Sequence, residues 1–138
     1  MERIFIDTNI IVYANDARDT LKQKMALDII SKLMKSRAGT ISTQVLQEYA
    51  NVAIFKLQQK PPVVVRQIKL LEAMDVIQQT PDQIRRAIEI SQLYQVGFWD
   101  ACIIANAEHA NCDTIYSEDF NTGQYYSGLK VKNPFLSE

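Results

Sequence analysis

The sequence contains no apolar run approaching the ~18–20 residues that a membrane span requires. Its opening residues, Met1-Glu2-Arg3-Ile4-Phe5-Ile6-Asp7, lack the long apolar stretch and small-residue cleavage site of an export signal. A cytoplasmic location is therefore the expectation. Cysteine is scarce, with Cys102 and Cys112 the only two, and they are not spaced as zinc ligands. Both read as small buried apolar residues. There is a single histidine, His109, and a helical projection puts it opposite Asp100, which argues against a general-base role. No charge sign dominates: 15 Lys and Arg against 16 Asp and Glu leave a net charge of −1 and a pI near 5.8. That balance excludes a general nucleic-acid coating protein but not a nuclease. Internal repeats, low-complexity tracts and interdomain linkers are also missing, so one domain over residues 1–138 is expected.

What is present alternates in period. Ile4-Phe5-Ile6, Thr40-Ile41-Ser42, Met74 to Gln78, Thr114-Ile115-Tyr116 and Leu129 to Val131 read as short strands. Between them, helical spacing predicts helices over 8–14, 19–36, 44–58, 63–73, 80–94 and 98–110. Pro61-Pro62 reads as a break between helices, and Thr80-Pro81 as an N-cap followed by proline at the first helical position. Short buried strands alternating with helices predict a three-layer α/β/α fold around a mainly parallel sheet. Ligands of such sheets bind beyond the carboxyl ends of the strands, so the residues that follow each strand matter most.

Three acids fall at or near those positions, and a fourth begins a helix. Asp7 follows the first strand, Glu48 lies in the second turn of the helix after Thr40-Ile41-Ser42, and Asp119 lies three residues past Tyr116. Asp100 begins a helix, in line with Ile103, Ile104 and Ala107, while Asn106, Glu108 and His109 project off that arc. Each acid also has a plain structural explanation: a cap for Asp7, a turn for Asp119, a solvated face for Glu48 with Gln44, Gln47 and Asn51. Asp100 is harder to dismiss, because a carboxylate heading an apolar stripe is costly unless it is paired or binds metal. Four converging carboxylates raise one another's pKa, and a hard divalent cation, Mg2+ or Mn2+, relieves that repulsion. Hydrolysis of a phosphodiester follows: Asp7 and Asp100 as direct ligands, Glu48 and Asp119 holding a second metal or orienting water, with Thr8, Asn9 and Ser117 as hydrogen-bonding groups around them. Trp99 reads as core, and basic groups such as Lys22 with Lys24, Lys56 with Lys60, and Arg85-Arg86 read as solvated faces.

The segments Ile4-Phe5-Ile6-Asp7-Thr8-Asn9, Gln44-Val45-Leu46-Gln47-Glu48, Phe98-Trp99-Asp100-Ala101 and Tyr116-Ser117-Glu118-Asp119-Phe120 resemble, in order, the motifs of PIN-domain nucleases. The closest likeness is to the VapC-type toxins of toxin–antitoxin pairs, and it spans essentially the whole chain. The resemblance implies a parallel sheet flanked by helices, Mg2+ or Mn2+ dependence and endonucleolytic cutting of RNA. It also implies a homodimer and a cognate antitoxin that covers the acidic cleft. By motif, Asp7, Glu48, Asp100 and Asp119 match the four acidic positions, Ser117 matches a small hydroxyl residue and Asn121 a polar loop position. Two alternatives remain at this level. One is a non-catalytic PIN-like binding or scaffold domain. The other is a haloacid-dehalogenase-like phosphatase, which usually wants a carboxylate where Asn9 stands.

Overall fold

The computed structural model describes residues 2–136. In chain order it contains β1 (Ile4–Ile6), α1 (Thr8–Ala14), α2 (Thr20–Ser36), β2 (Gly39–Ser42), α3 (Thr43–Phe55) and α4 (Pro61–Leu71). There follow β3 (Asp75–Ile77), α5 (Pro81–Tyr94), α6 (Phe98–His109), β4 (Thr114–Tyr116), β5 (Tyr125–Tyr126) and β6 (Leu129–Lys132). The six strands form one sheet in the order β3-β2-β1-β4-β6-β5. All neighbours are parallel except β5 and β6, which form an antiparallel edge. This is the expected three-layer α/β arrangement, with the sheet between a group formed by α1 to α4 and the α5–α6 pair.

Strand order reverses at β1. The chain steps from β1 to β2 and β3 on one side, then crosses to β4 and β6 on the other. A crevice therefore opens above the carboxyl ends of β1 and β4, the place where such sheets bind ligands. The two ends are held in register by backbone bonds: Asp7 N donates to Tyr116 O at 3.0 Å, and Ser117 N to Lys132 O at 3.1 Å. Phe5, Ile6, Ile41, Ile115 and Val131 are buried in the sheet, with Ile10, Ile11, Tyr49, Ile103 and Ile104 packed on it. Burying each large side chain of this kind is worth about 1.5–3 kcal/mol.

Helix ends follow local chemistry. The Asp19 carboxylate accepts from Lys22 N at 3.1 Å and the Ser42 hydroxyl from Val45 N at 3.3 Å, opening α2 and α3. At α5, Thr80 N donates to Gln83 Oε1 at 3.3 Å, half of a capping box. Pro61 and Pro62 start α4 rather than interrupt the chain before it, because the first helical turn needs no N–H donors from them. β5, unforeseen, is only two residues long and exists by pairing with β6. Gln95 closes α5 in the left-handed conformation (φ 56°), which costs a residue with a Cβ. Gln95→Gly is expected to stabilise the protein by about 0.5–1 kcal/mol, read as a raised midpoint in urea unfolding.

α6 departs from the one-sided stripe predicted for it. Ala101 through Ala107 are all buried, Asn106 included at 0% exposure, because α5 covers one side and the sheet the other. Asn106 is accommodated by polar partners: its Nδ2 donates to Gln79 Oε1 at 2.9 Å and to Gln44 Oε1 at 3.5 Å. Trp99 is not core. It stands 64% exposed in the first turn of α6, before that helix enters the interior. Cys102 and Cys112 are buried and free, as expected. Among the described residues no helix is long and apolar enough to cross a membrane.

Candidate active site

β1 delivers Asp7 to the crevice, where it is only 4% exposed. Its Oδ1 accepts from Thr8 N at 2.7 Å, so it is also the N-cap of α1. Its Oδ2 accepts from the Ser117 hydroxyl at 2.7 Å. Ser117, at the end of β4, is saturated: its oxygen also accepts from Asn9 Nδ2 at 3.3 Å and from Asp119 N at 3.1 Å. One hydroxyl thus fixes the first acid, the loop carrying the last, and α1.

Glu48 reaches the same place from α3. Thr8 Oγ1 donates to Glu48 Oε1 at 2.7 Å, linking the helices that follow β1 and β2. One turn earlier, Gln44 is buried (3% exposed) and its Nε2 donates to Trp99 O at 3.1 Å, pinning the start of α6. That bond explains the polar face of α3: Gln44 in the opening turn meets α6, and Glu48 in the following turn faces the crevice. Asp100, half-buried, stands one residue beyond the pinned carbonyl.

Asp7, Glu48, Asp100 and Asp119 all line one cleft of about 390 Å³, together with Thr8, Asn9, Tyr13, Lys56 and Trp99. Their charges feel one another. Burial pushes Asp7 up to about 7 against the lowering effect of Ser117 and Thr8, and the charges of Asp119 and Glu48 raise it further. Asp100 is raised in the same way, first by burial and then by Asp119 and Glu48. Among the described residues none of the four carboxylates takes part in an ion pair. They face one cleft without closing into a ready-made cage: no three His, Cys, Asp or Glu side chains are gathered tightly enough for that among the described residues.

The neighbouring acid Glu118 is occupied elsewhere. It forms an ion pair with Lys22, and Tyr13 OH donates to it at 2.7 Å. Lys22 also lies over the Tyr13 ring, 4.6 Å from its centroid, so this lysine, predicted to lie on a solvated face, packs on a cleft-lining tyrosine. Asn121 does not line the cleft; its amide donates to Gln124 Oε1 at 3.1 Å. Among the lining residues not foreseen in this role are three charged ones, Asp16, Arg18 and Lys56, the last read from sequence as part of a solvated face. Arg18 grips Asp16 through Nε (2.9 Å) and Nη2 (2.8 Å), holding that carboxyl down to about 2. The Asp-x-Arg spacing was the available signal, but it is indistinguishable in sequence from an ordinary surface pair.

Ser117→Ala tests the hub. Without the hydroxyl, Asp7 is expected to titrate at a higher pH, because the lost bond favours its ionised form. Carbon-13 NMR of the Asp7 carboxyl reads the shift directly, and a midpoint unmoved or lowered contradicts the geometry.

A family model described as the PIN domain matches residues 4–126. Among solved structures, the fold is similar to that of a Mycobacterium tuberculosis toxin, VapC20, described as cleaving the sarcin–ricin loop. The TM-score is 0.66 at 22% identity, over 86% of this chain and 91% of that one. It is similar to a chain of a toxin–antitoxin complex from Klebsiella pneumoniae, with a TM-score of 0.69 at 20% identity over 96% and 98%. DNA-bound VapBC from Salmonella typhimurium gives a TM-score of 0.69 at 14% identity, again over 96% and 98%. No curated protein sequence matches the chain.

Proposed function

From the premise that this chain belongs to the PIN-domain family, we propose that it is a divalent-metal-dependent endoribonuclease and the toxin of a toxin–antitoxin pair. The observation that carries the reading is the buried Asp7, facing three further carboxylates in one cleft with no cationic side chain, among the described residues, paired to any of the four.

The donor set fits a hard cation. All four groups are carboxylate oxygens, and magnesium takes only one or two of these directly, so an open cleft suits it better than a closed cage. Asp7 and Asp100 would hold Mg2+ or Mn2+. Glu48 and Asp119 would hold a second ion or orient the attacking water. When bound, the cation supplies Lewis-acid stabilisation of the scissile phosphate and acidifies water. The chain's own contribution is positional: Ser117 and the Thr8 amide aim Asp7, the Thr8 hydroxyl aims Glu48, and Asn9 ties α1 to the Asp119 loop by accepting from Glu118 N at 3.2 Å.

Residues 1–138 act as one domain in the cytoplasm, and two copies form a homodimer. A cognate antitoxin covers the cleft; the similarity to chains solved within toxin–antitoxin complexes supports this. The test is cleavage of an RNA substrate with Mg2+ or Mn2+, against chelator and against Asp7→Asn and Asp100→Asn. Cleavage that needs the metal and fails in both variants is expected. Cleavage that survives chelation, or both substitutions, defeats the proposal.

A further inference from the structure

Trp99 is the only tryptophan in the chain, and it is held out in solvent rather than packed away. It is not loose. Phe98 meets it edge to face, with ring centroids 5.2 Å apart and planes at 73°, and Gln44 fixes its backbone carbonyl. The indole lies on the lip of the acid cleft and, with Glu48, is shared with an adjoining groove lined by Gln44, Gln47 and Asn51. On another side the cleft shares Asp16, Arg18 and Lys56 with a depression that runs past Asn15, Gln58 and Gln59. The acids are thus flanked by an aromatic and amide groove that Glu48 borders, and by a region carrying Lys56 and the Asp16–Arg18 pair.

We propose that Trp99 is a stacking platform for an unpaired nucleobase of the RNA strand whose phosphate enters the acid cleft; this rests on the nuclease reading. The Trp99 ring, the more exposed of the Phe98–Trp99 pair, offers a flat apolar face, which every base can cover whatever its sequence. Gln47 and Asn51 each carry a donor and an acceptor with no partner among the described residues, suited to a base edge. Lys56, at the other flank, meets the backbone. A base paired in a duplex has its faces covered by its neighbours and cannot reach the indole, so the substrate is single-stranded at this position. An antitoxin that covers the cleft would mask the indole, so the platform serves the RNA strand in the free toxin, where the amides of Gln47 and Asn51 beside the ring suit a base edge.

Trp99→Ala and Trp99→Phe are to be compared with the wild type on a single-stranded RNA and on its duplex, with Mn2+ present. The side chain is exposed, so both variants are expected to fold. Trp99→Ala should raise KM for the single strand roughly 5- to 150-fold, the range for deleting an aromatic stacking partner, while Trp99→Phe retains most of the affinity. A KM effect with kcat held separates this from general damage to the site. The sole indole also reports binding by itself: single-stranded RNA should quench its fluorescence and the duplex should not. An unchanged KM in Trp99→Ala overturns the proposal, as does a variant that changes only the oligomeric state. Equal quenching by the duplex overturns it too. If no cleavage depends on Asp7, the nuclease reading falls alone; quenching by single-stranded RNA with Mn2+ then still supports the platform, and its absence overturns it.

Discussion

Asp7→Asn is expected to lower RNA cleavage by a factor on the order of 10²–10³, the scale of losing one preorganised charge-stabilising group, and yet to make the metal-free protein more stable at pH 8. The two effects share one cause. Burial raises the Asp7 carboxyl to about 7 in the folded chain, against about 3.9 when unfolded. The native state therefore binds more protons than the unfolded state between those values, and stability falls as pH rises from about 4 to 7. Above that window the folded protein carries a buried, ionised carboxylate beside the charges of Asp119 and Glu48. Asparagine has no charge to desolvate and can keep a bond to the Thr8 amide, so about 1–3 kcal/mol should be recovered after the weakened Ser117 contact is allowed for. For a chain this size that is roughly 4–12 °C in Tm. Mn2+ at a thousandfold excess over the wild-type Kd reverses the order, because the wild type then gains about 4.1 kcal/mol of binding energy and the variant, which lacks the Asp7 ligand, gains far less. Thermal unfolding in chelator and in Mn2+ checks the crossing. A variant less stable than wild type in chelator at pH 8 contradicts the electrostatic account, and a variant that still cuts RNA contradicts the functional one.

The parts of the fold written in local pattern were legible. β1 is an apolar triplet and β4 a β-branched and aromatic one, each bounded by polar residues, and the Thr80-Pro81 start of α5 is a backbone rule stated in two letters. β5 was not, since two tyrosines carry no period and pair only because β6 lies beside them. The sheet order, which decides whether Asp7 and Asp119 meet, is a nonlocal outcome of one chain crossover and leaves no trace in spacing. Side-chain surroundings were the weakest point. The α6 stripe was expected to bury one face, but two neighbours enclose the helix, so Asn106 is interior and needed amide partners from distant segments. Trp99 was misplaced for a related reason. Its apolar ring argues for burial, but its position two residues before the enclosed part of α6 leaves it uncovered. Asp7, Glu48 and Asp119 stood out in the sequence by their places after strands and Asp100 by heading an apolar stripe, with Thr8 and Ser117 named beside them. Which atom of each carboxylate those hydroxyls and amides meet is a nonlocal detail that spacing does not carry.

Cleavage and cation binding are both expected to increase with pH through about 7 and then level off, with the midpoint sliding downward as cation concentration rises. Only the ionised Asp7 accepts a cation, and the fraction ionised changes tenfold per pH unit below its pKa. From pH 5.5 to 7.5 at subsaturating metal, that amounts to roughly a 25-fold gain. Asp100, also raised by burial and by the same two neighbours, pushes the profile in the same direction. Cation and proton compete for one carboxylate, so more metal displaces the proton at lower pH. Glu48→Gln supplies the internal control. It deletes one of the charges that raises Asp7, so the midpoint for cation binding should move down even though cleavage is impaired. Calorimetric titration with Mn2+ across pH, in the wild type and in Glu48→Gln, measures both shifts without relying on turnover. A midpoint indifferent to metal concentration means that the titrating group is not a ligand, and a midpoint that rises in Glu48→Gln means that the carboxylates do not share a field.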